Sequence, residues 1–446
     1  MRESRYDLLC AFLLGLGELF MFTGYDTQMT IVEPVLHSVH DRSPDTINAH
    51  AGFYGVASMC VIFTVANLAA PWALGILGSK NSLLLGSMCF SLHIFTFFFI
   101  HLVPYYVTSA LLGFGYALFY TGHAEYTTEH STKITIERNS ALTWALASSC
   151  MTVGGVVLLF TIKPVSDIGG ITNMTQAGRS YRVDSEIRFM YGAFLIVTLC
   201  SNAIFALIPT RAVKDSIAAV IERKSHMGFT QQMKKTVDTM GDTYILQLIP
   251  LFGYIGLGSC VWGSVYPTTL MFTKELSTNI YLPAYYSIVV GLGDMLTGFA
   301  IGAVCKRVHN FSKLPTLTIG CVSFSAAMLL MLLSTPNWAT TMPTDEETLM
   351  IEPNVYLPLL IAFLFGIGDN CLNTSRTVIC ALIIPEKLPQ VFSVSRMHQS
   401  LLSAVIMFLS PLISVQTYFA IMLAYGIASC MFRNRIALFR QITLLQ

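Results

Sequence analysis

Long apolar runs recur along the chain at about 8–31, 51–76, 82–101, 105–122, 140–162, 188–209, 245–270, 284–304, 315–334, 357–384, 390–413 and 415–432. Most match the roughly 20 residues a helix needs to cross a bilayer. None alternates with the short period of a transmembrane strand. In lipid the backbone must satisfy its own hydrogen bonds, so the runs are expected to be helices. The pattern predicts an all-α membrane protein with 12 transmembrane helices. The first run follows Met1-Arg-Glu-Ser-Arg-Tyr-Asp7. It is too long for the core of a signal peptide, and no small-residue cleavage site follows it. The polar stretch 210–244 divides the runs six and six. This predicts an N-terminal six-helix bundle over 1–209, a cytoplasmic linker over 210–244, and a C-terminal bundle with a short cytoplasmic tail over 245–446. In the linker, Phe229, Met233, Val237 and Met240 follow helical spacing beside Lys234 and Lys235. That predicts an amphipathic helix on the inner membrane face, with a calmodulin-type target as the alternative.

Four segments align without gaps: 15–25, 113–123, 256–266 and 366–376. Each opens Gly-x-Gly and carries a hydroxyl eight residues on (Thr23, Thr121, Ser264, Thr374). Each has a large polar or aromatic residue ten residues on (Tyr25, His123, Tyr266, Arg376). They fall in spans one, four, seven and ten, so the repeat unit is three helices. Spans one and four run in opposite directions, which makes the repeat inverted. Two six-helix halves of inverted three-helix repeats are the pattern of the major facilitator fold. Close packing through small residues accounts for the glycines alone, but less well for the shared later positions.

Offsets of 0, 3, 7 and 10 share a helical face. Span one is thus expected to present Gly15, Glu18, Phe22 and Tyr25, with Asp26 adjacent, and span four Tyr116, Tyr120 and His123. Span seven is expected to present Ser259, Gly263 and Tyr266, and span ten Asp369, Asn373 and Arg376. Polar groups in hydrocarbon turn toward the bundle interior, so these residues are expected to line a central cavity and are the substrate candidates.

Composition sharpens this picture. Hydrophobic residues make up 54% of the 446 and charged residues 11%, against about 25% charged in a soluble domain. That excludes an ordinary soluble enzyme. A net charge of +1 gives no reason to expect nucleic acid. With both termini in the cytoplasm, 18 of the 26 Lys and Arg residues fall on the cytoplasmic side and six outside, as the positive-inside rule asks. The eleven cysteines lie within or beside apolar runs, so no disulfide framework is expected. No spacing suggests a metal, no motif suggests a cofactor, and no nucleophile has a placed base. Asn173-Met-Thr lies in a predicted outer loop and is a candidate glycosylation site.

The intramembrane ionisable residues are Glu18, Asp26, Asp294, Asp369, Arg376 and Arg396, with His398 beside the last. An unpaired charge at mid-membrane costs about 3 kcal/mol or more, so partners are expected. Asp369 and Arg376 stand about 10 Å apart along one helix, too far for contact. Glu18 is a candidate partner for either arginine. Two readings stay open: charges that bind a substrate or proton, and fixed structural ion pairs.

The chain resembles the uncoordinated-93-like family, in its branch of major facilitator superfamily domain-containing proteins. The resemblance rests on Met21-Phe-Thr23 and Thr27 in span one, and on Tyr54-Gly-Val56, Asn67-Leu68 and Pro71 in span two. It continues in Glu129-His130, Arg138-Asn139-Ser140 and Trp144 around span five. Gly366, Gly368-Asp369 and Asn373-Thr374 in span ten and Gln399-Ser400 in span eleven complete it. Arg396 and Asp294 also look like the family, whereas Glu18 and Arg376 do not. The loop Gly75-Ile-Leu-Gly-Ser-Lys-Asn81 lacks the acidic and arginine elements usual in transporters of this fold. The resemblance implies either a solute carrier of unknown substrate or a non-transporting accessory protein, a potassium-channel regulator or receptor-trafficking escort. Expected partners are the lipid bilayer, an unknown small solute or ion, and, on the second reading, a membrane protein. The plasma membrane and endosomal or lysosomal membranes both fit.

Overall fold

The computed structural model describes residues 2–132, 134–162, 184–211, 213, 216–217, 228–305, 314–384 and 387–443. Asn173 lies outside them. Span one is Arg2–Met29. The segment Ala51–Phe95 is hydrogen-bonded as one helix of 45 residues. At about 1.5 Å per residue that is twice the depth of a bilayer core. It divides at Gly78, where φ is 74° and ψ 168°, a conformation that glycine adopts without steric cost. The two parts are spans two and three.

Span four is Leu102–Glu129, and span five is Ile136–Ala147 followed by Cys150–Thr161. Span six is Asp184–Leu207. Span seven runs through Thr243–Cys260, Val261–Val265 and Tyr266–Phe272. Spans eight to twelve are Leu282–Cys305, Leu314–Ser334, Tyr356–Ile383, Leu388–Leu409 and Val415–Thr443. Among the described residues helices stand at all twelve expected positions, and nine helices are long and apolar enough to cross a membrane, the merged helix of spans two and three counting as one. Apolar side chains such as Phe160, Ile196, Leu207 and Phe408 are turned outward, as a lipid-facing surface requires.

Three local features depart from twelve plain rods. A short cap helix, Val32–Arg42, follows span one and buries Val32, Val35, Leu36 and Val39, the spacing of one helical face. Span five breaks at Ser148 and Ser149, where Ser149 N–H bonds back to the Leu146 carbonyl at 3.2 Å. Span seven widens into a π-turn at Val261–Val265. A further helix, Phe229–Met240, packs against the helix Ala51–Phe95 and against span eleven.

The repeat glycines explain which helices pair. A Cβ on Gly15 would strike Thr143 of span five, and one on Gly113 would strike Met59 and Phe63 of span two. One on Gly256 would strike Gln399 of span eleven, and one on Gly366 would strike Val290 and Asp294 of span eight. The pairs 1–5, 4–2, 7–11 and 10–8 are one contact repeated four times under the inverted repeat. These four positions are thus helix-packing contacts. Gly15 does not face an interior space, contrary to the face assigned to it from spacing. Its side of the helix is occupied by the Thr143 backbone.

Two seams join the halves. Span two meets span eleven through Thr64 and Ser400, with hydroxyls 2.8 Å apart, and through Ser393 Oγ donating to the Asn67 carbonyl at 3.0 Å. Span five meets span eight where Gly155 abuts Ala284 and Ile288, and Gly291 abuts Thr152. The Thr30 and Ser287 hydroxyls lie 3.5 Å apart near the cap helix.

Candidate functional site

Between the seams, side chains from spans one, four, seven, eight, ten and eleven form two polar levels. The first holds Asp26, Asp294 and Asp369. Span one places Asp26 one turn below Thr30, and span eight places Asp294 seven residues, about 10 Å, below Ser287. Asp294 lies within electrostatic reach of both Asp369 and Asp26. Its Oδ1 is buried without a hydrogen-bond partner. Asp26 receives the Cys150 thiol at 3.7 Å. Asp369 accepts from Trp262 Nε1 at 3.0 Å and from Asn373 Nδ2 at 3.0 Å. Asn370, next in sequence, donates to the Asp294 main-chain carbonyl at 3.0 Å and ties span ten to span eight.

The second level lies about two turns further toward the Arg2 end of span one. Glu18 meets His123, not an arginine: Oε2 and Nε2 are 3.3 Å apart. The arginines are too far off, and span four brings the imidazole alongside. Arg376 donates to Gln399. The Arg396 guanidinium lies 4.1 Å from the centre of the Tyr120 ring, a cation–π contact. Among the described residues, no ion pair joins either arginine to a carboxylate. Asp369 and Arg376 do not touch, in keeping with their spacing. His398 Nδ1 faces the Val394 carbonyl at 2.8 Å on its own helix.

Burial divides the residues singled out from spacing. Asp26, Tyr116, Tyr120, His123, Ser259, Asp294, Asp369, Asn373 and Arg396 are half-buried. Phe22, Tyr25 and Tyr266 are buried. Phe22 is enclosed by Phe90, Phe119, Tyr116 and Tyr120, and Tyr25 by Phe90 and Tyr116. Tyr266 packs on Tyr286 and Phe365. These three aromatics back the polar wall and do not form its surface. Arg376 is buried, and its Nη1 donates to the Gln399 side-chain oxygen. Gly263 faces Met29 of span one.

Spacing on one helix does not identify Trp262, Gln399 or Cys150 as partners. Trp262 lies inside the π-turn, where the extra residue per turn shifts the face of span seven. The freed Trp262 carbonyl accepts from the Tyr286 hydroxyl at 2.6 Å. Gln399 carries a sequence signal, because it belongs to the motif Gln399-Ser400. Cys150 carries none. Two small cavities of about 10 Å³ lie in the N-terminal half, each on the scale of one water. One is lined by Tyr126, His130, Asn139 and Thr143, the other by Tyr25, Gln28, His93 and Tyr105.

The whole chain superposes on solved transporters. The nucleoside transporter NupG, as a point mutant, gives a TM-score of 0.61 at 11% identity, covering 96% of this chain and 98% of that one. The proton:xylose symporter XylE gives 0.63 at 15% identity, covering 98% and 96%. The helix pairing and these superpositions define the major facilitator fold. A family model described as "Ion channel regulatory protein UNC-93" matches residues 43–433, and the chain belongs to that family. The UNC93-like protein MFSD11 of Xenopus laevis is 27% identical over 439 residues, covering 95% of this chain and 94% of the relative. UNC93-like protein 3 of Arabidopsis thaliana is 25% identical over 401 residues, covering 85% and 77%. Fold and family point to a transporter or regulator type and not to an enzyme.

Proposed function

We propose that the protein is a secondary solute transporter that works by alternating access around the two polar levels. The observation that carries this reading is the half-buried cluster of Asp26, Asp294 and Asp369, drawn from three spans and both halves, with no cation paired to it among the described residues. A fixed structural network would pair each charge, because an uncompensated buried charge is costly. Here the acidic level is left able to take a proton or the basic group of a polar solute. Tyr120 and Arg396 offer an aromatic and cationic surface one level away. The halves are residues 1–209 and 245–446, joined by 210–244, with both termini cytoplasmic and Asn173 on the outer side.

The test is uptake by the purified protein in liposomes across a panel of small polar solutes. Asp369→Asn and Arg396→Gln are expected to abolish uptake while leaving folded protein at the wild-type level. Wild-type liposomes that take up none of the panel would count against transport. Variants that merely unfold would favour structural charges. A second reading, an accessory subunit of an ion channel, is favoured by the family description. It predicts a co-purifying channel, and channel currents that depend on this protein with Asp369→Asn in place.

A further inference from the structure

We propose that Glu33, His37 and His50 form a transition-metal site, with zinc the fitting ion, at the junction of the cap helix with span two. One ligand atom from each of the three lies within 4.8 Å of the other two. His50 Nδ1 and Glu33 Oε1 are already 3.1 Å apart, close to the separation of two donors on one tetrahedral zinc with bonds of about 2.0–2.2 Å. The other carboxylate oxygen of Glu33 accepts the Phe53 N–H at 3.0 Å, which fixes the direction of the carboxylate. His37 Nδ1 faces the Ala49 carbonyl at 2.9 Å. That contact makes Nδ1 the protonated nitrogen and leaves the lone pair on Nε2, the second-shell arrangement of metal-binding histidines. Asp41, one turn along the cap helix, lies 4.0 Å from His37 Nε2 and is exposed, outside the group of three.

Glu33 is fully buried, and its histidine neighbour offers it a hydrogen bond. A divalent ion would neutralise it. Imidazole donors select zinc and its neighbours over calcium or magnesium. Three protein ligands would leave the fourth position of a tetrahedral ion to water. It is independent of the polar levels and of the transport reading. The His37 ring also lies 5.1 Å from Phe272 of span seven, so a bound ion would hold the cap helix against the opposite half.

The test uses the full-length protein, purified in detergent and stripped with a chelator. Titration with zinc by calorimetry is expected to give one ion per chain and to raise the thermal unfolding midpoint. Cobalt is expected to give the visible absorption of a tetrahedral site. His50→Gln and Glu33→Gln are expected to weaken binding by about tenfold or more, and His37→Ala likewise. His40→Ala is the control: His40 Nδ1 faces the Ile47 carbonyl and is outside the group, so binding should be unchanged. A parent protein that binds no zinc, or one whose binding survives His37→Ala with His50→Gln, would overturn the site.

Discussion

At the residue scale, the site depends on individual polar side chains whose partners come from other helices. Trp262 is the clearest case. Its indole N–H is one of two side-chain donors to the Asp369 carboxylate, from across the span seven–span ten contact. Trp262→Phe keeps an aromatic ring, removes that donor and gives up the five-membered part of the indole. The expected loss is about 1.5 kcal/mol or more, the contribution of a hydrogen bond to a charged group, read as a lower unfolding midpoint. An unchanged midpoint would mean that Asn373 alone satisfies the carboxylate. His130, just beyond span four, is a second case. It is buried and stacked on Tyr126 at 3.9 Å, with Nδ1 3.0 Å from the Tyr126 carbonyl. Burial pushes its pKa below the ordinary 6.5. The unfolded chain therefore takes up the proton first as pH falls through 6.5. Stability from this group is fully present above that pH and declines below it. Unfolding midpoints followed from pH 7.5 to 5 should fall in the wild type and fall less in His130→Gln.

At the scale of elements, the repeat is a packing device first. Gly15, Gly113, Gly256 and Gly366 each bring a span against its counterpart in the series 5, 2, 11 and 8. In the absence of a hydrophobic force between helices in lipid, such close approach is what holds them. Gly366→Ala would drive a methyl into the Val290 carbonyl and the backbone at Gly293 and Asp294. The expected cost is about 1–3 kcal/mol, as for other overpacked positions. Gly75→Ala meets nothing within 4 Å and should be neutral or stabilising by up to about 1 kcal/mol, the difference in helix propensity. Thermal unfolding of the two variants in the same detergent checks both signs. If both lose stability equally, the close approach is not what distinguishes them. The π-turn in span seven acts at the same scale. By widening one turn it moves Trp262 toward Asp369, and a regular helical wheel cannot anticipate that.

At the scale of the whole molecule, the two halves touch along spans two and eleven and along spans five and eight, and again where Thr30 meets Ser287. Alternating access by rocking of the halves requires the Thr30–Ser287 end to part. A Thr30→Cys, Ser287→Cys pair in a background with the native cysteines replaced should cross-link under oxidation and stop uptake, with recovery on reduction. Uptake that continues in fully cross-linked protein would mean that this end stays closed throughout the cycle.

Much of this was legible in the residues themselves. Twelve spans follow from hydrophobic length, because lipid leaves the backbone no partner but itself. The threefold-unit repeat follows from the register of Gly-x-Gly, hydroxyl and polar positions. The same spacing could not tell a glycine that packs from a side chain that lines a space, and so placed Gly15 with Glu18. It also could not assign partners across helices. Glu18 meets His123, Arg376 meets Gln399, and Arg396 lies over Tyr120. Periodicity along one chain records which way a residue faces within its own helix. Which residue waits on the other side depends on how far each helix is rotated and slid against its neighbours, and side-chain packing decides that only once all twelve are assembled.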